Sequence, residues 1–286
     1  FSINDDLEKI VNKKPKILKS KQSTDQVARY MNKHNIYQIP VVDNFKKVKG
    51  LYIYDFEQNK LNNNVFVIMA GGLGKRMLPL TKLTPKPMLK FKGKPILEHI
   101  ILKAKKEGFR NFIISVYYKK EIIKNYFKNG FNLGINIEYI EESKPQGTAG
   151  SLSKLKNYSE QDFVITNSDV ITDISYKDLL QYHKKKRSNF TIVTKLYESQ
   201  IPFGVVKIKN NKLKSILEKP VNLEHINAGI YCINSNIFKD IKFRNKLDMN
   251  ELLDQVKISN DILVYPIHEY WRDIGNLSAY KEINSK

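Results

Sequence analysis

The stretch VFVIMAGGLGKRMLPLTKLTPKPML, residues 65–89, opens as an apolar run and continues as glycines, prolines and cations. The run VFVIMA has the length and composition of a buried strand, and the glycines after it end that strand. Glycines let backbone amides approach an anion closely, and Lys75, Arg76 and Lys86 supply positive charge beside them. The stretch therefore predicts a strand followed by a loop that binds a phosphate-rich ligand.

This loop does not match the two best-known phosphate-binding sequences. A P-loop requires Ser or Thr after its Gly-Lys pair, whereas Gly74 and Lys75 are followed by Arg76. A dinucleotide-binding loop requires a third glycine, and after Gly72 and Gly74 that position holds Met77. The glycines and cations thus indicate a phosphate site of another kind.

Beyond the loop, strand and helix patterns alternate to the end of the chain. Such alternation is typical of a largely parallel sheet with helices on both faces. Pro95 is placed to begin a helix and Gly108 to end it. The predicted strands are residues 65–70, 111–118, 135–142, 162–169, 189–197, 225–234 and 262–267, with a hairpin over 203–220. The predicted helices are residues 95–108, 119–130, 175–188 and 249–257, with a last helix from 276.

The motif AGGLGKRMLPLTKLTPKPML, followed by GKPILEHII, closely resembles the signature of the sugar-1-phosphate nucleotidyltransferases. The other motifs of that family follow in order as KPQGTAG, NSD, FGVV, EKP, NAGIY and WRDIG, so the resemblance runs from Val65 to the C-terminus. It implies an α/β fold, a three-layer sandwich with a mixed, mainly parallel Rossmann-like sheet. It also implies an enzyme that joins a nucleoside triphosphate to a sugar 1-phosphate and releases pyrophosphate.

The resemblance assigns catalytic roles to charged residues. Arg76 would bind the pyrophosphate leaving group and Lys86 the α-phosphate, and we expect both side chains to face solvent. Lys219 of EKP would hold the sugar phosphate, and Glu218 would accept hydrogen bonds from sugar hydroxyls. Because two polyanions must meet, positioning and charge neutralisation are the expected sources of catalysis. The phosphate nucleophile needs no general base.

Two aspartates resemble the family's metal ligands. Asp169 of NSD follows a predicted strand at its C-terminal end, where ligands gather in open α/β sheets, and Asp273 lies in WRDIG. The resemblance makes both carboxylates ligands of one Mg²⁺, a hard cation that suits oxygen ligands and phosphate. We therefore expect them to converge at the C-terminal edge of the sheet. Taken alone, either aspartate is also typical of a turn or a helix cap.

The remaining site residues also rest on the resemblance. PQGTAG follows a strand and is expected to open a helix at about Thr148, and its backbone and Gln146 would read the base. The nucleotide-binding set is Ala70, Gly71, Gly72, Gly74, Lys75, Gln146, Gly147 and Thr148. The sugar-binding set is Gly204, Glu218, Asn227 and Gly229. Cys232 lies in an apolar strand and is expected in the core, and Trp271 is expected to pack beneath the metal loop.

Residues 1–60 are predicted to form a separate small α+β unit with its linker, ahead of a nucleotidyltransferase domain over residues 65–286. The order strand, helix, strand, strand over residues 7–58 resembles a CBS motif, built from KILKS, STDQVARYMNKHN, IYQIPVVD and KVKGLYIYDF. The polar segment FEQNKLNNN, residues 56–64, is expected to be the linker. CBS motifs work in pairs, so we expect a second motif before Phe1 or pairing between two chains, which implies a homo-oligomer. An adenine nucleotide is the ligand that the resemblance implies for this unit.

Composition limits the cellular setting. No apolar run near VFVIMA approaches the roughly 18 residues of a membrane-spanning helix, and FSINDDLEKI lacks the pattern of a signal peptide. One cysteine among 286 residues suits a reducing, cytoplasmic environment. We therefore expect no membrane partner. The chain lacks an initiator Met, and we expect it to be a fragment of a longer protein.

Two alternatives to the enzyme come from other classes of protein, and the net charge of +20 suggests the first of them. One is a nucleic-acid-binding protein. The lysines are spread over nearly every segment, however, and only HKKKRSN, residues 183–189, is densely basic, so a solvated lysine-rich surface is favoured and no nucleic-acid partner is expected. The other is an inactive sensor of adenine nucleotides, which the intact charged motifs argue against.

The identity of the substrates is also predicted from resemblance. Within the family, the chain is most similar to the CBS-fused guanylyltransferases of legionaminic-acid biosynthesis. This similarity implies GTP and glucosamine 1-phosphate as substrates. Transfer from UTP, dTTP or CTP stays open, as do mannose and glucose 1-phosphate as acceptors.

Overall fold

The computed structural model of the chain describes residues 12, 14–19, 27, 30–31, 34, 36–53, 64–158, 161–244, 246–258 and 261–285. The chain divides into two compact units, Phe1–Lys60 and Leu61–Lys286. The predicted linker falls outside the described residues, except for Asn64. Within the ranges just given, no helix is long and apolar enough to cross a membrane.

The small unit contains the predicted hairpin. Strand β1, Gln38–Val42, pairs antiparallel with β2, Val48–Ile53. Most of the predicted helix before the hairpin lies outside the described residues, although Val27, Tyr30 and Met31 are helical.

A small apolar core holds this unit together. Val27 and Met31 are buried together with Ile39 of β1 and with Leu18. Leu18 forms a single parallel bridge to Val41, where the sequence predicted a strand over KILKS. Among the described residues 14–19, Leu18 provides the backbone hydrogen bonds to the hairpin, donating to Pro40 and accepting from Val42.

The large unit is an alternation of strands and helices. Its strands are β3 (Val65–Ala70), β4 (Lys90–Phe91), β5 (Lys94–Pro95), β6 (Asn111–Val116), β7 (Asn136–Glu141), β8 (Asp162–Asn167), β9 (Val170–Thr172), β10 (Phe190–Gln200), β11 (Val205–Lys209), β12 (Lys212–Leu217), β13 (Val221–Asn234), β14 (Ile262–Ile267) and β15 (Trp271–Asp273). Its α-helices are α1 (Ile96–Lys106), α2 (Lys120–Phe127), α3 (Tyr176–Lys185), α4 (Met249–Val256) and α5 (Leu277–Asn284). Its 3-10 helices are Lys75–Met77, Leu80–Lys82, Lys86–Met88, Phe131–Leu133, Gly150–Asn157 and Ser235–Lys239.

Seven strands form the central sheet in the order β14-β10-β13-β8-β3-β6-β7. β13 runs antiparallel to both of its neighbours, and the other neighbouring strands run parallel. The sheet is therefore mixed and mainly parallel, and the predicted α/β fold class is confirmed.

Both faces of the sheet are covered, as the apolar run VFVIMA predicts. Phe66 and Ile68 of β3 pack on one face in a core that includes Ile100 of α1. Val65 and Val67 point to the opposite face and belong to a second core under the 3-10 helix Gly150–Asn157 and α4. The two cores separate three layers, which is the predicted sandwich.

Strands β10 and β13 are longer than the sequence indicates. They pair from Phe190 opposite Ile233 to Gln200 opposite Val221. The added residues are mostly exposed, so they lack the apolar pattern by which a buried strand is recognised. The hairpin of β11 and β12 follows this extension, as predicted.

The topology of the sheet sets the position of a ligand site. The chain passes from β3 to β6 and β7 on one side, and then returns to β8 on the other side of β3. Such a reversal of strand order leaves a crevice beyond the carboxyl ends of the strands, where α/β proteins bind their ligands. The glycine-rich loop after β3 lies at this reversal.

Candidate functional site

A cavity of about 440 Å³ opens at the carboxyl ends of β3, β6, β7 and β8. This volume lies in the range of small-molecule sites. Most of the residues predicted to bind nucleotide, together with three of the predicted catalytic residues, line its wall. They are Gly71, Gly72, Gly74, Lys75, Arg76, Lys86, Gln146, Gly147, Thr148 and Asp169.

The glycine-rich loop turns its cations outward. Gly74 adopts the left-handed conformation, with φ of 65°, and its carbonyl accepts hydrogen bonds from Met77 N at 2.9 Å and Thr81 Oγ1 at 2.8 Å. The 3-10 turn that follows buries Met77 and leaves Lys75 and Arg76 exposed at the cavity. The loop thereby combines open backbone with two accessible positive charges. Ala70, which ends β3, is buried and does not line the cavity.

The side chain of Lys86 is mostly buried, whereas that of Arg76 is exposed. Pro85 and Pro87 flank it in a short 3-10 turn whose next residue, Met88, is buried. The Lys86 ammonium donates a hydrogen bond to the carboxylate of Asp169, and the two side chains are only 11% and 18% exposed. The expectation that Lys86 faces solvent is therefore wrong, because the carboxylate draws its side chain inward.

Asp169 and Asp273 lie side by side. Asp169 follows β8, and the next residue, Val170, is the register partner of Asp273 in the antiparallel pair of β9 and β15. Ile274 N donates to the carbonyl of Asp169 at 2.9 Å. Burial and, second, the negative charge of Asp169 raise the pKa of Asp273, while Lys86 and Arg76 act to lower it. Asp273 therefore interacts with the charges of Asp169, Lys86 and Arg76, which line the cavity, although Asp273 itself is exposed and lies outside the cavity wall.

The aspartate pair fits a hard divalent cation. Burial and repulsion between neighbouring carboxylates are both relieved when a cation binds between them, and oxygen is the donor that Mg²⁺ prefers. Across the residues that the structure describes, no cluster of three or more His, Cys, Asp or Glu side chains could hold a metal. The protein would therefore supply two carboxylates from Asp169 and Asp273, and phosphate oxygens and water would supply the other ligands.

The PQGTAG segment is joined to the residues before α4. Leu247 N donates to Gln146 O at 2.9 Å, and the carbonyl of Leu247 accepts from Ala149 N at 2.9 Å. Gly147 lies between them with φ of 81°, and a Cβ atom there would be 2.5 Å from the Leu247 oxygen. Only glycine satisfies both the conformation and the contact.

The sequence predicts that a helix opens at about Thr148. In the structure a 3-10 helix begins two residues later, at Gly150. The polar groups of Thr148 serve α4 instead. Its amide donates to the Asp248 carboxylate at 3.1 Å, and its hydroxyl accepts from Met249 N at 2.7 Å. Asp248 also forms a capping box with Glu251, and the Thr148 amide lowers the pKa of its carboxyl.

Glu142 is a cavity residue that the sequence reasoning missed. Its side chain is 6% exposed, and it accepts hydrogen bonds from Ser115 Oγ at 2.6 Å and Gln146 N at 3.0 Å. A Cβ atom at Gly71 would be 2.5 Å from its carboxylate, so the loop after β3 passes directly over it. The available signal was a polar Ser115 within an apolar strand and an acidic residue at the end of the next strand.

The predicted sugar-site residues lie outside the cavity wall. Gly204 and Glu218 face each other across the start and end of the β11–β12 hairpin, since a Cβ atom at Gly204 would be 3.0 Å from Glu218 Oε2. Lys219 follows with φ of 44° and is exposed. The hairpin thus presents these residues to solvent.

The two predicted sugar-site residues of β13, Asn227 and Gly229, contact neighbouring residues and do not line the cavity themselves. Gly229 has φ of 69°, and a Cβ atom there would be 2.5 Å from the amide of Asn167, which lines the cavity. Asn227 accepts from Gly229 N at 2.9 Å and donates to the Tyr231 hydroxyl at 2.8 Å. Gly229 therefore leaves room for a cavity side chain.

The two remaining sequence expectations concern packing. Cys232 is fully buried, and burial raises the pKa of its thiol, as expected for a core residue. Trp271 belongs to β15, which carries Asp273, and its indole N–H donates to Ala228 O at 2.9 Å. The ring thereby links the strand that carries Asp273 to β13.

The amino-acid sequence is similar to known proteins. A family model described as nucleotidyl transferase matches residues 65–286. A mannose-1-phosphate guanyltransferase of Hypocrea jecorina is 33% identical over 73% of this chain and 60% of its own length. The catalytic subunit beta of the Drosophila melanogaster mannose-1-phosphate guanylyltransferase is 33% identical over 75% of this chain and 60% of its own.

Solved structures share the fold. HddC from Yersinia pseudotuberculosis superposes with a TM-score of 0.61 at 26% identity, covering 78% of this chain and 98% of that one. The same protein has been solved in complex with GMP-PN. This chain spans about three fifths of the length of the curated relatives it matches. Because the family model matches well over half of the chain, the chain belongs to the nucleotidyl transferase family.

Proposed function

We propose that the chain is a Mg²⁺-dependent sugar-1-phosphate nucleotidyltransferase that transfers a guanylyl group from GTP and releases pyrophosphate. The observation that carries the proposal is the cavity itself. A glycine-rich loop with two exposed cations, Lys86 and Asp169 line it at the reversal of strand order, and Asp273 lies on the strand that pairs beside Asp169. The relatives that are named guanylyltransferases support the choice of GTP.

The chemistry requires an oxygen of the sugar phosphate to attack the α-phosphorus in line while pyrophosphate leaves. Arg76, exposed at the cavity, would bind the leaving pyrophosphate, and Lys86 would bind the α-phosphate. Lys219 would hold the sugar phosphate and Glu218 the sugar hydroxyls, so the acceptor site would extend from the cavity toward the hairpin. Positioning and charge neutralisation would supply the rate acceleration. A Mg²⁺ held by Asp169 and Asp273 would add positive charge for the phosphate oxygens.

Glu142 supports guanine as the base. A carboxylate only accepts hydrogen bonds, and guanine carries two neighbouring donors on one edge, N1–H and the N2 amino group. The pairing edges of uracil, thymine, cytosine and adenine each mix donors with acceptors, so none offers two adjacent donors. Each Glu142 oxygen accepts one hydrogen bond from the protein and has a second acceptor site, so this carboxylate in the cavity wall favours guanine over the other bases.

A matrix of substrates tests the proposed function. The chain is incubated with Mg²⁺, each nucleoside triphosphate and a panel of sugar 1-phosphates, and pyrophosphate is measured. We expect release with GTP. The relatives' names put mannose 1-phosphate first among the acceptors, and the resemblance to CBS-fused enzymes puts glucosamine 1-phosphate beside it. An inactive sensor would give no pyrophosphate with any pair.

The Glu142→Gln substitution tests how the base is selected. The amide keeps the size of the side chain but removes one of the two acceptors. We expect kcat/KM for GTP to fall roughly ten- to hundredfold, since a hydrogen bond to a charged group contributes about 1.5–3 kcal/mol. The Ser115→Ala variant is the control, because it loses a donor to Glu142 and keeps the carboxylate. Equal preference for GTP in wild type and Glu142→Gln would contradict the assignment.

A further inference from the structure

The ion pair of Lys86 and Asp169 joins two residues to which the proposed function gives different partners. Lys86 is assigned to a phosphate and Asp169 to a metal, yet in the described structure the ammonium donates directly to the carboxylate. Their side chains are 11% and 18% exposed. Since little water surrounds the pair, its attraction is screened less than that of a surface ion pair.

The backbones on both sides of the pair are fixed. Lys86 lies between Pro85 and Pro87, and its carbonyl accepts from Leu89 N at 3.1 Å. The carbonyl of Asp169 accepts from Ile274 N. The flexible part is therefore the four-carbon side chain of the lysine, which can change partner without movement of the chain.

A divalent cation at Asp169 would compete with this ammonium. Both need the same carboxylate, and if the lysine stayed in place the two positive charges would lie next to each other. The exposed Lys75 and Arg76 at the same cavity add to the unfavourable positive potential. A nucleotide reverses this balance, because its phosphates give the ammonium another partner and bring negative charge for the metal.

We propose that Lys86 is a counter-ion latch: it keeps divalent metal off Asp169 in the nucleotide-free protein and releases this carboxylate when a nucleotide phosphate enters. Metal and nucleotide then bind interdependently, and by linkage each raises the affinity of the other by the same factor. The inference rests on the proposed nucleotide site. It makes Lys86 a positioning residue for the metal, in addition to its phosphate role.

Binding of Mn²⁺ to the full chain tests the latch. Mn²⁺ accepts the same oxygen ligands as Mg²⁺, and free Mn²⁺ can be measured by electron paramagnetic resonance. The Lys86→Met substitution keeps the length of the side chain and removes its charge. Without nucleotide, we expect this variant to bind Mn²⁺ at least tenfold more tightly than wild type. In wild type, addition of GTP should tighten Mn²⁺ binding beyond the affinity of GTP itself for the ion.

The Lys82→Met variant is the matched control. Lys82 is exposed, lies four residues from Lys86 and is not a partner of Asp169 in the described structure. It loses the same charge, so its Mn²⁺ affinity should stay within about twofold of wild type. Adding Asp169→Asn to Lys86→Met should abolish the gain, because the substitution removes the carboxylate that the latch exposes.

Equal Mn²⁺ affinity of wild type and Lys86→Met without nucleotide would overturn the proposal. Equal Mn²⁺ affinity of wild type with and without the nucleoside triphosphate that supports pyrophosphate release would overturn it as well. Should Lys86→Met melt early, Lys86→Arg is the second variant, since it keeps the charge and must keep the weak nucleotide-free binding. Tight nucleotide-free binding by Lys86→Arg would count against the latch.

Failure of the latch and failure of the proposed function are distinguishable. The Mn²⁺ measurement without nucleotide needs no turnover, and the pyrophosphate assay needs no Lys86 variant. A gain of Mn²⁺ affinity in Lys86→Met together with no turnover on any substrate pair would uphold the ion competition and reject the enzyme. Turnover with unchanged Mn²⁺ affinity would do the opposite.

Discussion

Two glycines shape the cavity because another segment of the chain packs directly against their backbones. The carbonyl of Leu247 lies against Gly147 at a distance where no Cβ atom fits, and Gly71 passes over the carboxylate of Glu142 in the same way. Neither contact requires a charge or a ligand. The shape of the site is therefore built into the packing of its loops before any substrate arrives.

We predict that Gly147→Ala lowers the melting point more than the strain of a left-handed alanine alone would lower it. Gly93→Ala is the matched control, since Gly93 has the same φ of 81° and a Cβ atom added there would meet no other atom within 4 Å. The left-handed conformation costs about 1–3 kcal/mol in both variants. At Gly147 the clash with Leu247 adds to this cost, so thermal melting should show the larger fall there, and kcat should drop only there. Equal melting points and equal turnover of the two variants would contradict the prediction.

At the scale of residues, motifs in the sequence point to individual residues but do not indicate which side chains contact one another. The motif resemblance pointed to Asp169 and Asp273, which neighbouring strands then place side by side. The ion pair of Lys86 with Asp169 joins residues 83 positions apart, and nothing in either motif indicates it. Glu142 was missed for the same reason, because its partners lie on other strands.

At the scale of elements, the polar edges of the large unit are stabilised by charge. β7 forms one edge of the central sheet, and the carboxylate of Glu141 at its end accepts hydrogen bonds from Lys120 and Lys124 of α2, each at 2.6 Å. These ammonium groups lower the pKa of Glu141 from 4.5 to about 2. The contacts link an edge strand to the helix that precedes it in the chain.

This link predicts a pH-dependent contribution to stability. A carboxyl whose pKa is depressed by folding stabilises the fold above its unfolded pKa and loses that contribution as the pH falls toward the folded value. The contribution of Glu141 should therefore be complete above pH 4.5 and should disappear between pH 4.5 and about 2. In thermal melts, Glu141→Gln should lower the midpoint at neutral pH, and the difference from wild type should vanish in acid.

The control for this experiment is Glu121→Gln. Glu121 lies on α2, and its carboxylate is 3.9 Å from the Lys124 ammonium, beyond hydrogen-bonding distance. Its substitution should change the melting profile little at any pH. A difference between Glu141→Gln and wild type that persists unchanged to pH 2 would show that the lysines do not act through the charge of this carboxyl.

The sequence predicts helices and strands well where burial gives their apolar residues a regular spacing. It predicts them poorly where polar contacts between distant segments determine the local structure. The strands around β3 and the helix α1 follow apolar patterns that the sequence displays. The turn at Thr148 does not, since its amide and hydroxyl serve α4, about 100 residues further along the chain. The basic run at 183–189 is likewise expected to be solvated surface. His183, however, is fully buried and lies within hydrogen-bonding distance of Thr191.

At the scale of the whole molecule, the two units differ in how well they enclose their apolar residues. The large unit has two extensive cores, one on each face of its sheet. The described part of the small unit has one core of four buried residues with a few partly buried neighbours. The unit has only 60 residues, and a domain of that length is marginally stable alone, so we predict a partner surface.

The hairpin of the small unit shows where such a partner would bind. Leu51 and Ile53 of β2 point to the same side of the hairpin and are 52% and 68% exposed, while Tyr52 between them packs on the core. Phe45, in the turn, is 92% exposed. Neighbouring exposed apolar residues on one face, such as Leu51 and Ile53, are typical of an interaction surface. We predict that this face pairs with the same face of a second chain or with a second motif of the same kind, as the resemblance to CBS motifs implies.

Sedimentation velocity of the chain with Leu51→Lys tests this pairing. If two chains pair through the hairpin, the wild type should sediment as a dimer and Leu51→Lys should shift it toward monomer, because a charge is then buried without a partner. Ile258→Lys is the matched control, since Ile258 is 86% exposed on the large unit. It should leave the dimer intact. A wild-type monomer, in a protein with no second motif of this kind, would contradict the prediction, as would a dimer that Leu51→Lys leaves unchanged.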